Sequence, residues 1–269
     1  MKNIPLGSKV AVITGASSGI GEMFARELAA KGYNLILVAR RKQKLEELAN
    51  EMNLKFKVST EVILADLSEM TKIEELVTYF TEKEGIEVLV NNAGYGLLGN
   101  FVDIELSKQL KMIKVHSIAS YCFSKAVLPV MLKNNKGFII NVSSLSGLMP
   151  KYGNVAYTVS KSFLIVFSQT LQEELRNTNI KIQALCPGMT VSEFHNKEKL
   201  PNFDKSSVPK KFWMTSEEVV RKSLKSLRKR KTIYVPGWKN RLSLRISNNF
   251  LIGAIIRYFI SLRFRRNKE

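Results

Sequence analysis

The segment "YTVSK" places Tyr157 and Lys161 four residues apart in a stretch with helical periodicity, so the two side chains lie one above the other on a single face. A phenol at its ordinary pKa of about 10 is a poor base at neutral pH. A cation about 5 Å away, at an effective dielectric near 20, contributes roughly 3 kcal/mol, or about two pKa units. Lys161 is therefore expected to bring Tyr157 into the range of acid–base work. Thirteen residues before the tyrosine, Ser144 stands in "INVSSLSG" at the end of an apolar run. A strand end that loops back over that distance can set the Ser144 hydroxyl opposite the phenol, where it could hold a carbonyl oxygen. Phenol, ammonium and hydroxyl together suit proton exchange with a carbonyl or an alcohol. Tyr-x-x-x-Lys alone is common and can be no more than one face of an amphipathic helix, so the elements that would position these groups decide the matter.

Short runs rich in Val, Ile and Leu occur at 10–14, 35–38, 62–65, 88–91, 138–142, 180–185 and 232–235. Between them lie helical patterns: "GEMFARELAAKG", "KQKLEELANEM", "MTKIEELVTYFTEKEG", the stretch 104–133, and "NVAYTVSKSFLIVFSQTLQEELRN". This alternation predicts an α/β protein, a Rossmann-like doubly wound parallel sheet covered on both faces and joined by right-handed crossovers. The 269 residues, 45% of them hydrophobic, can bury one large core or two small ones. No repeat, low-complexity segment or Gly/Ser linker divides the chain. The reading is one domain over 1–235 and a C-terminal extension over 236–269.

After the first strand, "TGASSGIG" leads into a helix. Gly15, Gly19 and Gly21 let the backbone turn tightly and bring helix N–H groups close to an anion, where the helix start favours a pyrophosphate. The spacing is G-x-x-x-G-x-G, not the commoner G-x-G-x-x-G, and its place between strand and helix is what lifts it above a plain tight turn. In such folds an acid at the end of the second strand accepts the ribose 2′-hydroxyl of NAD, whereas an arginine accommodates the 2′-phosphate of NADP. "NLILVARRKQ" has no acid there; Ala39 is followed by Arg40 and Arg41. Guanidinium matches phosphate with two parallel donors and stays charged, which predicts NADP with Arg40 as the first contact. Arg41 is more open to the plainer role of a solvated start to the next helix.

"TGASSGIG", "ADLS" with Asp66, "NNAG" at 91–94, the Ser144 to Tyr157 spacing, "YTVSK" and "PGMT" from Pro187 resemble, in order and interval, the short-chain dehydrogenase/reductase family of NADP-preferring type, over about residues 8–235. The resemblance implies an NADP-dependent oxidoreductase that interconverts a ketone or aldehyde and an alcohol. It implies that Tyr157 exchanges a proton with the substrate oxygen as hydride moves to or from the nicotinamide. Ser144 would orient that oxygen, and Lys161 would bind the nicotinamide ribose while lowering the tyrosine pKa, assisted by the positive ring of the oxidised nicotinamide. The implied cofactor contacts are Gly15, Ser17, Ser18, Gly19, Ile20 and Gly21 in the first turn, then Arg40 and Arg41. Asp66 and Leu67 would meet the adenine, Asn92, Ala93 and Gly94 would lie along the cofactor, and Pro187, Gly188 and Thr190 would frame the nicotinamide. One departure stands out. The family usually carries an asparagine in a context such as M-x-x-x-N, which positions, partly through its main chain, a water that relays protons to the lysine; here "MIKVHSIAS" has His116. This candidate catalytic residue keeps the main-chain role, relays protons itself, or marks a weakened enzyme, in that order. The last option is the alternative reading of the chain as an NADP-binding sensor.

The segment 188–216 carries Phe194, Phe203, Phe212, Trp213 and Met214 without a regular pattern and is read as a substrate lid, apolar enough for a lipophilic carbonyl or alcohol or simply pinned to the domain by its aromatics. Residues 1–195 hold 22 Lys+Arg against 18 Asp+Glu, while 196–269 hold 20 against 5, so most of the net charge of +19 sits at the C-terminal end. In the extension the longest apolar run, 250–256, is too short for a membrane span. Trp238 and nine Lys/Arg from Lys231 to Lys268 suit an anionic membrane surface, with two short helices broken near Asn248, or packing on the domain or a second subunit. Stacking aromatics and motifs for nucleic acid are absent, so none is expected as partner. Cys122 and Cys186 without close partners, and His116 and His195 without ligand spacing, argue against a disulfide framework and a metal. With no secretory signal read near Met1, the expectation is a cytoplasmic protein, peripheral at the inner membrane surface if the extension binds lipid. The helices 104–133 and 154–176 are expected to form a homo-dimer or homo-tetramer.

Overall fold

The apolar runs become strands because both of their faces are covered. In β1, Val10–Thr14, all five residues are buried, and β2, Asn34–Ala39, is buried through its middle four, the pattern of strands inside a parallel sheet. β3 (Thr60–Leu64), β4 (Ile86–Asn91), β5 (Gly137–Val142) and β6 (Ile180–Leu185) follow. The computed structural model describes residues 4–150, 152–195, 203, 205–227, 229 and 231–248. Two short strands, β7 (Thr190–Val191) and β8 (Met214–Thr215), pair with each other, and β9 (Ile233–Tyr234) completes the main sheet. That sheet has seven strands in the order β3-β2-β1-β4-β5-β6-β9, every pair parallel. This is the Rossmann-like doubly wound sheet expected. The order reverses between β1 and β4, the crevice where such sheets bind ligands.

Helices α1 (Gly19–Ala29), α2 (Lys42–Phe56) and α7 (Ser216–Leu227) cover one face around Phe24, Leu28, Leu45, Met52 and Val220. The other face is covered by α3 (Met70–Glu82), by α4 (Leu106–Ile113), α5 (Ala119–Lys133) and α6 (Val155–Glu174), around Ile73, Phe80, Phe123 and Met131. α4 and α5 form the single long helix that the sequence pattern predicts, but Lys114–Ile118 between them is a π-helical segment. One extra residue per turn there displaces His116 from the regular face, a distortion common at functional sites.

Past Val235 the chain enters α8, Trp238–Asn248. Asn240 on this helix is buried, donating to Pro236 O at 2.9 Å. Residues 249–269, which hold most of the basic extension and its second expected helix, lie outside the described residues.

Candidate active site

The carboxyl ends of β1 and β4 are stitched together by Thr14, whose Oγ1 accepts from Asn92 N at 2.9 Å and Ala93 N at 3.0 Å. Gly15 has φ +64°, and a Cβ there would meet Ala93 Cα at 2.8 Å. At Gly21 a Cβ would fall 2.4 Å from Gly15 O, so only glycine lets α1 start this close to the strand end. Ser18 precedes α1 in extended conformation without a side-chain cap, which leaves the first-turn N–H groups, carrying the positive end of the helix, for an anion. A turn this tight, open at an uncapped helix start, fits a dinucleotide pyrophosphate.

The two arginines after β2 behave differently. Arg40 is 68% exposed and makes one long contact, to Asp66 Oδ2 at 3.4 Å. Arg41 is committed: Nε and Nη2 reach Ser17 Oγ at 3.1 and 2.9 Å, Nη2 reaches Ser18 Oγ at 2.8 Å, and Nη1 pairs with Glu193 at 2.6 Å. Lys44 meets the same carboxylate at 2.5 Å. Burial alone would raise the Asp66 carboxyl, but hydrogen bonds from Ser68 and the charge of Arg40 hold it below its ordinary value. Leu67 beside it is buried. At the far end of the crevice Pro187 O accepts from Leu145 N at 2.9 Å and Thr190 Oγ1 donates to Gly188 O at 3.1 Å. Gly188 lies against Asn240, whose Oδ1 would be 2.7 Å from a Cβ at that position.

Ser144, Tyr157 and Lys161 come together at the end of β5 and on the first turns of α6. Ser144 Oγ accepts from Ser146 N at 3.1 Å, which fixes the hydroxyl at the start of a short turn, close enough to the Tyr157 phenol to act on its pKa. Lys161 is buried, with Nζ donating to Val142 O at 2.8 Å and lying 5.8 Å from the centre of the Tyr157 ring. Burial lowers the lysine to about 7 and raises the phenol, with Ser144 partly opposing the rise. The acidic phenol expected of Lys161, assisted by the positive ring of an oxidised nicotinamide, is a property of the loaded site. In the protein alone the ammonium is spent on a main-chain carbonyl and half-discharged by its own burial, so desolvation of the phenol wins. His116 is fully buried, its ring edge-on to Tyr157 and Tyr95 at 5.7 and 5.8 Å between centroids. From the segment after β7, Phe194 lies 6.0 Å from the Tyr157 ring, and His195 packs 5.0 Å from Trp213.

Four participants escape the sequence reading: Lys44 and Glu193, which meet across 149 residues, and Tyr95 and Ser160, which flank His116. Only "NNAGY" could have flagged Tyr95, by adjacency. Cys122 and Cys186 are both unpaired, and burial raises the Cys186 thiol to about 12.

The short chain dehydrogenase family model matches residues 9–201, and the chain belongs to that family. An NADP-dependent 3-hydroxy acid dehydrogenase of Schizosaccharomyces pombe is 33% identical over 239 residues, 86% of this chain and 91% of that one. A very-long-chain 3-oxoacyl-CoA reductase of Anas platyrhynchos is 37% identical over 199 residues, 72% of this chain but 64% of the reductase. Among solved structures, a short-chain dehydrogenase from Sphingobium yanoikuyae in complex with NADPH superposes with a TM-score of 0.79 at 30% identity, covering 86% of this chain and 88% of that one.

Proposed function

We propose that this oxidoreductase uses NADP to interconvert a lipophilic ketone or aldehyde and the corresponding alcohol. The observation that carries the reading is the convergence of Ser144, Tyr157 and Lys161 beside the glycine turn, at the crevice where the strand order reverses. Bound NADPH supplies the hydride to the carbonyl carbon, and NADP takes it back in the reverse direction. Ser144 holds the carbonyl oxygen and Tyr157 gives it a proton. A phenol kept above its ordinary pKa is fully protonated at neutrality, hence loaded for reduction. Lys161, near neutral in its own pKa, is suited to returning that proton. Arg40, exposed and weakly paired, takes the 2′-phosphate, while Arg41 stiffens the turn beneath it. Ser17, Ser18, Gly19, Ile20 and Gly21 hold the pyrophosphate, Asp66 and Leu67 the adenine, and Asn92 to Gly94 with Pro187, Gly188 and Thr190 the nicotinamide side. Phe194, Phe203 and Trp213 favour an apolar substrate. The names of the two relatives make an acyl chain oxidised at its third carbon the first class to test.

The test is oxidation of NADPH and NADH by the full chain against lipophilic ketones and 3-oxoacyl thioesters, with Tyr157→Phe as control. Turnover that prefers NADPH and vanishes in the control is expected; turnover with neither coenzyme would leave the sensor reading. Exposed Leu110, Tyr121, Val159, Phe163 and Val166 on the long helices support a homo-dimer or homo-tetramer, which light scattering of the full chain checks. On α8, Trp238, Leu242 and Ile246 are exposed at helical spacing beside Arg241 and Arg245. They support peripheral contact with an anionic membrane, tested by pelleting with anionic vesicles before and after truncation at Pro236, which removes α8.

A further inference from the structure

The imidazole of His116 sits between two elements. Tyr95 N, in the loop after β4, donates to its Nε2 at 3.1 Å, and Ser160 Oγ, on α6, lies 2.9 Å from its Nδ1. The Ser160 hydroxyl donates its own proton to Tyr157 O at 2.9 Å. These contacts permit one proton arrangement. Nε2 receives an N–H and so must present a lone pair; the ring proton then belongs on Nδ1, where the Ser160 oxygen can accept it. A second proton on Nε2 would set two N–H groups against each other. The groups facing the ring are Tyr95 from the loop and Tyr157 and Lys161 from α6, none of them a carboxylate that could hold an imidazolium. Burial first, then the charge of Lys161, keep the ring well below its ordinary pKa. The loop reaches the ring because residue 94 is glycine: a Cβ there would fall 2.8 Å from Nε2 and 3.5 Å from Lys161 Nζ.

We propose that His116 is an uncharged positioning residue whose Nδ1–H tautomer ties the loop along the coenzyme to the turn of α6 that carries Tyr157. The path runs Nδ1–H to Ser160 Oγ–H to the Tyr157 carbonyl, and both ring nitrogens are occupied along it. The imidazole therefore moves no proton in the reaction. This role rests on Tyr157 being the acid–base group, as proposed above, but the bonding pattern does not.

Two measurements test it. In long-range proton–nitrogen NMR of the full chain, with His195→Gln to assign signals, His116 is expected as the neutral Nδ1–H form without titrating from about pH 5.5 to 8. The Nε2–H tautomer, or titration in that range, overturns the proposal. In kinetics, His116→Asn offers one acceptor and one donor and cannot titrate, so it should keep kcat within about tenfold, a barrier change near 1.4 kcal/mol. His116→Ala should lose about a hundredfold, and adding Ser160→Ala to it should cost little more. An asparagine variant as impaired as the alanine one, or a limb of the wild-type pH profile that disappears in His116→Asn, means that the imidazole relays protons. If the wild type reduces no carbonyl, the oxidoreductase reading fails alone, and the NMR result still decides the strut.

Discussion

On the side proposed for the coenzyme, residues 10–94, the crevice is built from five-residue and six-residue strands, long helices and glycines packed too closely for a side chain, such as Gly15 against Ala93. On the side proposed for the substrate, residues 188–248, the strands are two residues long and much of the chain is held by single side-chain contacts, some near and some far in sequence. Asn240 lies against Gly188, Trp213 Nε1 donates to Val208 O at 3.2 Å, and Glu193 bridges to Arg41 and Lys44. The first side is specified by backbone geometry and resists change; the second is an assembly of separate contacts, each removable. Substrate choice can then vary while the nucleotide site stays fixed.

The largest effects are expected where the two sides meet. Tyr157→Phe should lower carbonyl reduction by about a thousandfold while leaving NADPH binding, followed by fluorescence, within about twofold. Lys161→Met should cost activity comparably but raise the melting temperature. Lys161 has a folded pKa of about 7 against the ordinary lysine value of 10.5, so folding is penalised fully below the folded value. The penalty fades as pH rises toward the unfolded one. The stabilisation by Lys161→Met should therefore be greatest in mildly acidic buffer and shrink through alkaline pH. A variant whose advantage grows with pH would contradict the buried-ammonium picture.

The same division explains what the sequence discloses. β1 and β2 are legible because burial on both faces demands a continuous apolar run, and Ser144, Tyr157 and Lys161 because their spacing survives without tertiary knowledge. α7 is not, because its buried face is partly polar. Ser223 Oγ donates to Gln183 Oε1 at 2.5 Å and Gln183 Nε2 to Ser226 Oγ at 2.7 Å, so serines stand where an apolar period would be sought. The π segment around His116 meets α6 through contacts such as His116 Nδ1 to Ser160 Oγ, which no local pattern records. Burial of Lys161 is likewise a property of the assembled site, which is why the tyrosine pKa moves opposite to the simple two-charge estimate.

Next in size is the split between the arginines. Arg40→Ala should raise the KM for NADPH by about thirtyfold with NADH little changed, the loss of one charge-assisted phosphate contact. Arg41→Ala should weaken both coenzymes together, because its bonds to Ser17 and Ser18 brace the turn that both share. If Arg41→Ala instead discriminates between the coenzymes, the clamp and the brace are exchanged. On the substrate side, Trp213→Ala should raise the KM of a lipophilic ketone by about tenfold through lost apolar contact, with NADPH unaffected.

The smallest expected effect bears most directly on whether the two sides are separate. Glu193 belongs to the segment proposed as a lid, yet it neutralises Arg41 and Lys44 at the start of α2. Its partners are 37% and 46% exposed, so each pair is worth no more than about 1 kcal/mol. Glu193→Gln frees two cations beside the arginine assigned to the 2′-phosphate, so the KM for NADPH should fall by about threefold, with that for NADH unchanged. The ketone KM should rise about twofold as the lid loses an anchor. Both changes should fade near 1 M salt, where screening acts within about 3 Å. A loss of affinity for NADPH and NADH alike would mean that the carboxylate holds Arg41 in place for the turn. The lid would then be part of the coenzyme wall, and the line between a rigid side and an adjustable one would have to be drawn beyond Glu193.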